Sequence, residues 1–246
     1  PVLPAAAAER FEQLLRRRAA REPMAYLRGQ AGFWDLQFEV GPDVLIPRPE
    51  TETLVEAALA AFPDRRAALS FLDLGTGSGC LALTLLHLYP AARAVAVDLA
   101  APAIACCAGN AARLGLCQRL ELVEGDWNHA PRRAFDLVVS NPPYVAVGEL
   151  AALQPEVRDH EPRLALLGGA DGLDAYRTLL PVVARRLAPT GRVILELGAG
   201  QAPAVAVLLD RHGLELERLH PDLAGIPRAL VARRKADAST LGTATC

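Results

Sequence analysis

Residues 71–79 read Phe71-Leu72-Asp73-Leu74-Gly75-Thr76-Gly77-Ser78-Gly79. An apolar run ends at an acidic residue, and glycines follow at every second position. They let the backbone turn tightly and approach a ligand without Cβ interference. The pattern predicts a buried strand over 68–74, a glycine turn, and a helix over about 79–88. That helix would aim its unpaired N–H groups and positive dipole end at whatever sits over the turn. The same rhythm continues downstream, with strands expected at 94–98, 120–124, 135–140, 192–197, 214–219 and 229–232. Helices are expected at 101–114, 173–187 and 201–211. Apolar strands alternating with helices imply a mostly parallel sheet covered on both faces. Only the last two strands lack a helix between them, and the Pro- and Gly-bearing segment 220–228 suggests an antiparallel hairpin at the sheet edge.

Upstream the pattern differs. Phe11, Leu14 and Leu15 form an apolar stripe on a helix expected over 5–21, which Glu22-Pro23 ends. Phe33, Leu36, Phe38 and Val40 alternate with polar residues before Gly41-Pro42, as in a short β-hairpin. Pro47-Arg48-Pro49-Glu50 then leads into a helix to about residue 62, with Leu54, Val55, Ala58 and Leu59 facing inward. The connection 145–172 shows no strand pattern and has the length of a functional loop. Residues 235–246 are small and polar and are expected to be disordered.

Composition narrows the functional classes. The 246 residues are 52% hydrophobic with a formal net charge of −2, which suits a large buried core and argues against a protein living on bare nucleic acid. No apolar stretch is long enough for a membrane span, and the N-terminus lacks a signal-peptide layout. A cytoplasmic monomer without direct nucleic-acid or membrane contact is expected. The missing initiator Met suggests a trimmed chain. The five cysteines form no C-x-x-C pair and read as reduced thiols, and the five histidines show no zinc spacing.

Two segments carry the chemistry. In the first, the spacing is G-x-G-x-G rather than the dinucleotide G-x-G-x-x-G. Asp98, closing the next strand, can accept from both hydroxyls of a ribose, or else caps the following helix. Asp126-Trp127 follows the third strand, where Trp127 could stack on a base or simply fill core, and Asp126 could accept from an exocyclic amine. In the second, the strand at 135–140 runs into Asn141-Pro142-Pro143-Tyr144. Residues before proline are extended, and proline has no N–H. The Asn141 side-chain carbonyl and the Pro142 backbone carbonyl thus stand as two acceptors, matching the two hydrogens of an –NH₂ group. Tyr144 offers a ring against a flat amide or base. The plain alternative is a stiff Pro-Pro turn. Loop and tetrad together favour S-adenosylmethionine over a dinucleotide, and N-methylation as the reaction.

Together with Val44-Leu45-Ile46-Pro47-Arg48-Pro49-Glu50-Thr51-Glu52, these segments resemble the HemK/PrmC protein-(glutamine-N5) methyltransferases. Arg21-Glu22-Pro23-Met24-Ala25-Tyr26-Leu27, Glu161-Pro162, Gly168-Gly169-Ala170-Asp171-Gly172-Leu173-Asp174 and Asp222-Leu223-Ala224-Gly225 add to the likeness, which runs from about Arg17 to Arg234. The resemblance implies an α/β class I (Rossmann-like) seven-stranded methyltransferase sheet with a small N-terminal helix and β-hairpin appendage. Residues 1–46 would be the remnant of an N-terminal helical domain plus the hairpin linker, and 47–234 the methyltransferase domain. It implies S-adenosyl-L-methionine contacts at Gly75, Thr76, Gly77, Ser78, Gly79, Asp98, Trp127 and Asn141. Substrate contacts fall on Asn141, Pro142, Pro143 and Tyr144, with Asn141, Pro142 and Tyr144 at the chemistry. The implied substrate is the glutamine of the Gly-Gly-Gln motif of class I peptide-chain release factors. A ribosomal protein shares the same chemistry as an alternative. A DNA-base N-methyltransferase would need a target-recognition domain that the sequence does not show. Pro47-Arg48-Pro49-Glu50 reads as a rigid edge of the site mouth, with a local Arg48–Glu50 ion pair as the plainer reading.

Overall fold

Seven strands form one sheet in the computed structural model, which describes residues 4–236. They are β3 (Ser70–Leu74), β4 (Arg93–Asp98), β5 (Leu120–Glu124), β6 (Phe135–Ser140), β7 (Leu187–Glu196), β8 (Leu214–Pro221) and β9 (Pro227–Arg234). The spatial order is β5-β4-β3-β6-β7-β9-β8; the first five are parallel, and β9 runs antiparallel to both β7 and β8. The seven strands and the antiparallel edge are as expected. β7 starts earlier than the expected 192, and the last hairpin is longer. Its strands absorb most of the connecting segment and leave a tight turn, where Asp222 Oδ1 accepts from the N–H groups of Ala224 and Ile226.

Side-chain alternation sorts the core into two layers. On one face Phe71, Ala94, Leu137 and Ile194 pack under α3 (Glu52–Ala61), α4 (Cys80–Leu88) and α5 (Ala101–Arg113). On the other, Leu72, Leu74, Val138 and Leu195 pack under α8 (Asp174–Arg186) and α9 (Ala202–Arg211). Strand residues buried on both sides are what a parallel sheet between helices requires.

The N-terminal part differs from expectation. The first helix, α1, spans Ala5–Ala19 and buries none of its residues; Phe11 is 57% exposed. A second helix, α2 (Met24–Arg28), follows Pro23, which the sequence reading placed only as a stop. Proline ends one helix and pre-sets the dihedral that starts the next. The hairpin comprises β1 (Gln30–Phe33) and β2 (Leu36–Glu39), with Phe33 and Phe38 meeting edge to face at 6.2 Å in the core. The connection 145–172 is not structureless. It holds a 3-10 turn (Val147–Ala152) and two short helices, α6 (Pro155–His160) and α7 (Arg163–Leu166). Elements of four to six residues are too short to show a helical period. At the other end Lys235 extends the last strand, its N–H bonded to Gly213 O; the remainder of the tail expected to be disordered, from residue 237, and Cys246 lie outside the described residues.

One buried amide joins the hairpin to the sheet. Asn110 on α5 is fully buried; its Oδ1 accepts from Glu39 N (2.7 Å), and its Nδ2 donates to Glu39 O (3.0 Å) and Ser78 O (2.9 Å). Replacing it removes the partners of three backbone groups, one of them at the buried Ser78. Asn110→Ala is therefore expected to lower unfolding free energy by about 2–4 kcal/mol. A denaturant titration checks this, and a midpoint equal to wild type would show that the amide does not tie the hairpin down.

Candidate functional site

The carboxyl ends of β3, β4 and β6 converge with the turn after β5 on one cavity of about 500 Å³. Its wall includes Gly75, Thr76, Gly77, Ser78, Asp98, Trp127, Asn141 and Pro143 from the residues singled out in the sequence. Gly79, Pro142 and Tyr144 are not on that wall. Parallel strand ends at a reversal of strand order are where open α/β sheets bind ligands.

The glycine turn is shaped from within. Gly75 N and Thr76 N donate to Val97 O, Gly77 N to Asp98 Oδ2 at 2.8 Å, and Gly79 N to Thr76 O. These donors are engaged inside the protein, so the loop is no pyrophosphate cradle of free N–H groups. Gly79 has φ +82°, and a Cβ there would meet Cys107 Sγ of α5 at 2.6 Å, so only glycine permits the close packing of α4 on α5. Behind the loop Asp73 is buried. Thr76 donates to its Oδ2 (2.7 Å), while Oδ1 has no hydrogen-bond partner. Burial lifts this carboxyl to about 7, with Asp98 adding to the rise and Thr76 opposing it.

Asp98 uses both oxygens of its carboxylate locally: Oδ2 accepts from Gly77 N, and Oδ1 from Ala100 N (3.0 Å) at the start of α5. Helix capping and ligand binding are compatible here, because each carboxylate oxygen keeps a second lone pair. Asp126 is exposed and caps the turn Trp127–His129, its Oδ1 accepting from Asn128 N (2.9 Å) and facing His129 Nδ1 (2.7 Å). The His129 hydrogen bond, helped by Asn128 and opposed by desolvation, holds the Asp126 carboxyl below the usual range. Trp127 is half-buried, touching the second core layer with one side and the cavity with another.

These features fit a small, positively charged nucleoside better than a dinucleotide. Asp98 and Asp126 place acidic side chains on the cavity wall, the N–H groups of Gly75, Thr76, Gly77 and Gly79 are engaged within the protein, and Trp127 and Leu99 supply apolar wall.

At the acceptor end Asn141 Nδ2 donates to Thr51 Oγ1 (3.1 Å), and among the described residues nothing donates to Asn141 Oδ1. Thr51 Oγ1 donates to Glu196 Oε2 (2.5 Å), and Tyr144 Oη donates to Glu196 Oε1 (3.0 Å). The Tyr144 ring packs against the second core layer, so the phenol acts as an anchor for its loop rather than as a platform on the cavity wall. Glu196 is fully buried at the end of β7. Burial lifts its carboxyl to about 7, while Thr51, Tyr144 and the charge of Arg228 pull it down. Above that pH it is a carboxylate with acceptors only.

The sequence reading missed Thr51 and Glu196. Thr51 lies within the quoted Val44–Glu52 segment, and Glu196 ends an expected strand, but only the folded sheet brings them to Asn141. Arg48 pairs with Glu161, which also accepts from Ile46 N, so the local Arg48–Glu50 pair is not formed. Glu161 is 4% exposed, and Pro47 and Arg48 line the cavity. Among the described residues, no helix is long and apolar enough to cross a membrane, and no three His, Cys, Asp or Glu side chains group as a metal site.

The second glycine cluster explains itself in three dimensions. A Cβ on Gly168 would meet Pro143 O at 2.6 Å, and one on Gly172 (φ +76°) would meet Tyr144 O at 2.3 Å. Residues 168–172 thus wrap the backbone of the tetrad, and Gln201 Nε2 bridges the two by donating to Tyr144 O (3.0 Å) and Gly172 O (3.3 Å).

Comparison with known proteins agrees with this geometry. A Methyltransferase small domain family model matches residues 51–158, and a PrmC N-terminal domain model matches residues 2–29. A release factor glutamine methyltransferase of Cereibacter sphaeroides is 50% identical over 231 residues, covering 94% of this chain and 81% of that protein. One of Bradyrhizobium diazoefficiens is 47% identical over 236 residues, covering 95% and 80%. Among solved structures, a methyltransferase from Pyrococcus furiosus matches with TM-score 0.61 at 17% identity, covering 93% of this chain and all 100% of that one. A ribosomal protein L11 methylase from Lactobacillus delbrueckii subsp. bulgaricus matches with TM-score 0.58 at 19% identity, covering 84% and 90%. These two likenesses speak to the fold.

The glycine wrap can be tested without a ligand. Gly172→Ala combines a left-handed backbone with a clash on Tyr144 O and is expected to destabilise by about 1–3 kcal/mol. Thermal or denaturant unfolding reads the loss; wild-type stability would mean that the wrap gives way at no cost.

Proposed function

Since the chain belongs to the release factor glutamine methyltransferase family, we propose that it methylates the side-chain amide nitrogen, N5, of the glutamine in the Gly-Gly-Gln motif of class I peptide-chain release factors, with S-adenosyl-L-methionine as donor. The observation that carries this reading is Asn141. Among the described residues nothing donates to its side-chain oxygen, and Asn141 lies on the wall of a cavity shared with the glycine loop and Asp98.

When bound, S-adenosylmethionine supplies an electrophilic methyl group on a sulfonium. Gly75–Ser78, Asp98 and Trp127 would hold it, Asp98 through the ribose hydroxyls and Trp127 against the adenine. Gly79 serves by letting α4 pack, and Asp73 braces the loop from behind by accepting from Thr76 Oγ1. Asn141 lies where cofactor and substrate sites meet.

An amide nitrogen is a poor nucleophile because its lone pair is delocalised into the carbonyl. Asn141 Oδ1 and the Pro142 carbonyl, accepting the two N–H hydrogens, hold the –NH₂ plane fixed. They also stabilise the positive charge that grows on those hydrogens as the N–C bond forms at the expense of the sulfonium S–C bond, one of the two hydrogens then leaving as a proton. Pro143 shapes the slot, and Tyr144 fixes the loop through Glu196. In this reading residues 47–234 carry the transfer, while Asp43, Val44 and Leu45 frame one side of the mouth.

Incubation with labelled S-adenosylmethionine and a release factor is expected to label the factor, and replacing its Gly-Gly-Gln glutamine should abolish the label. Transfer to DNA alone would overturn the assignment. Asn141→Ala should cut turnover by about 2–4 kcal/mol in barrier, as for loss of an aligning hydrogen bond. Asp98→Ala should weaken cofactor binding about tenfold or more, read by titration, with an unchanged affinity removing the ribose contact.

A further inference from the structure

A side-chain amide has an oxygen on one side and a nitrogen on the other. Asn141 serves the proposed chemistry only with its oxygen toward the acceptor nitrogen. Rotation of the amide by half a turn would place an NH₂ donor against an NH₂ donor. The backbone does not select between the two orientations. The selection comes from a polar chain on the far side of the residue.

That chain has one direction. Glu196, fully buried at the end of β7, accepts at both oxygens, from Tyr144 Oη at 3.0 Å and from Thr51 Oγ1 at 2.5 Å. Thr51 is 1% exposed, so water does not compete for its hydroxyl. A hydroxyl has a single hydrogen, and with Glu196 ionised that hydrogen lies on the carboxylate. Thr51 Oγ1 therefore meets Asn141 as an acceptor. The atom it receives, at 3.1 Å, is the amide nitrogen. With the amide inverted, two oxygens would face each other in a buried site, leaving both unsatisfied, a loss that buried polar groups seldom tolerate.

We propose that Glu196, acting through the Thr51 hydroxyl, is a positioning residue that locks the Asn141 amide with Oδ1 toward the substrate nitrogen. This rests on the methyl-transfer reading given above. Neither residue need touch the substrate. Glu196 sets the direction of the hydrogen bonds, and Thr51 relays it between strand β7 and the loop after β6. Tyr144 completes the arrangement by occupying the second oxygen of Glu196, so that one carboxylate orients both ends of the Asn141–Tyr144 tetrad.

The test compares Thr51→Val, which keeps shape and removes the hydroxyl, with Thr51→Ser, which keeps the hydroxyl. Turnover is measured with release factor and labelled S-adenosylmethionine; cofactor affinity and melting temperature are measured on the same samples. Thr51→Val is expected to lower kcat about ten- to a hundredfold with cofactor affinity within about twofold, and Thr51→Ser to restore kcat to within about threefold of wild type. In an Asn141→Ala background, Thr51→Val should add less than about a twofold loss, since there is no amide left to orient. Thr51→Ala carries the same expectations if the Val variant does not fold. Full kcat in Thr51→Val, equal impairment of Ser and Val, or a full further loss in the Asn141→Ala background would each overturn the positioning role. Absence of label with the wild-type enzyme would instead overturn the assigned activity, so the two failures are distinct.

Discussion

The site depends on β3 pairing in parallel with β4 on one side and β6 on the other. Phe71, Leu72 and Asp73 align with Leu137, Val138 and Val139, and the same strand aligns Leu74 with Val97. Ser140 Oγ then donates to Leu74 O at 2.6 Å, tying the tip of β6 to the tip of β3 in a buried position. From those two tips the chain leaves as the glycine loop and as Asn141-Pro142-Pro143-Tyr144. Neither segment could face the other if the strands slipped, because a one-residue shift would turn every core side chain to the opposite layer. The sheet register therefore sets the spacing between donor and acceptor ends before any ligand arrives.

Several polar groups are buried at that end of the sheet, and among the described residues Asp73 Oδ1 there, like Thr84 Oγ1 on α4, has no hydrogen-bond partner. Glu196 illustrates the energetics. Its carboxyl, lifted to about 7 by burial, is ionised at higher pH only against a penalty of about 3 kcal/mol relative to an exposed glutamate. The sign follows from proton uptake: the folded state holds this proton to a higher pH than the unfolded chain, so the group subtracts stability as pH rises from about 4.5 to about 7. A leucine of similar volume would avoid that loss. A carboxylate at this position is explained by what it orients, not by what it contributes to stability.

The strands and the helices packed on them were legible because they repeat locally. Apolar runs, glycine turns and helical periods are visible within about ten residues. The tetrad and the G-x-G-x-G loop were legible for the same reason, being contiguous. The rest was not, and the reason is distance along the chain. Asn110 joins Glu39 and Ser78 across 71 and 32 residues, and Thr51 meets Asn141 across 90 and Glu196 across 145. No local pattern marks an asparagine on an amphipathic helix as a bridge, or a strand-end glutamate as buried. Tyr144 shows the limit from the other side. Its place in the motif was plain, but whether ring or hydroxyl did the work depended on Glu196, far away in sequence.

The mouth of the cavity follows the same logic. The connection 145–172 is fastened to the N-terminal part at two levels. On the outside, Arg18 and Arg21 approach Glu156 at 3.0 and 2.9 Å, and His160 Nε2 lies 3.1 Å from Ala20 O. Both arginines are well exposed, so these pairs are screened and worth about 0–1 kcal/mol each. Further in, Glu161 has its side chain 1% exposed and holds both Arg48 and the Ile46 N–H. Removing one partner there strands a buried charge, a loss of about 3–5 kcal/mol. The inner clamp therefore sets the position of the Val44–Arg48 segment against the connection, and the outer pairs only trim it. Within that connection Val145 N donates to Leu166 O and Gly168 N to Val145 O, so backbone bonds join the edge of the mouth to the end of the tetrad. A short proline-rich segment upstream of the sheet thereby becomes part of the acceptor site without sharing its chemistry.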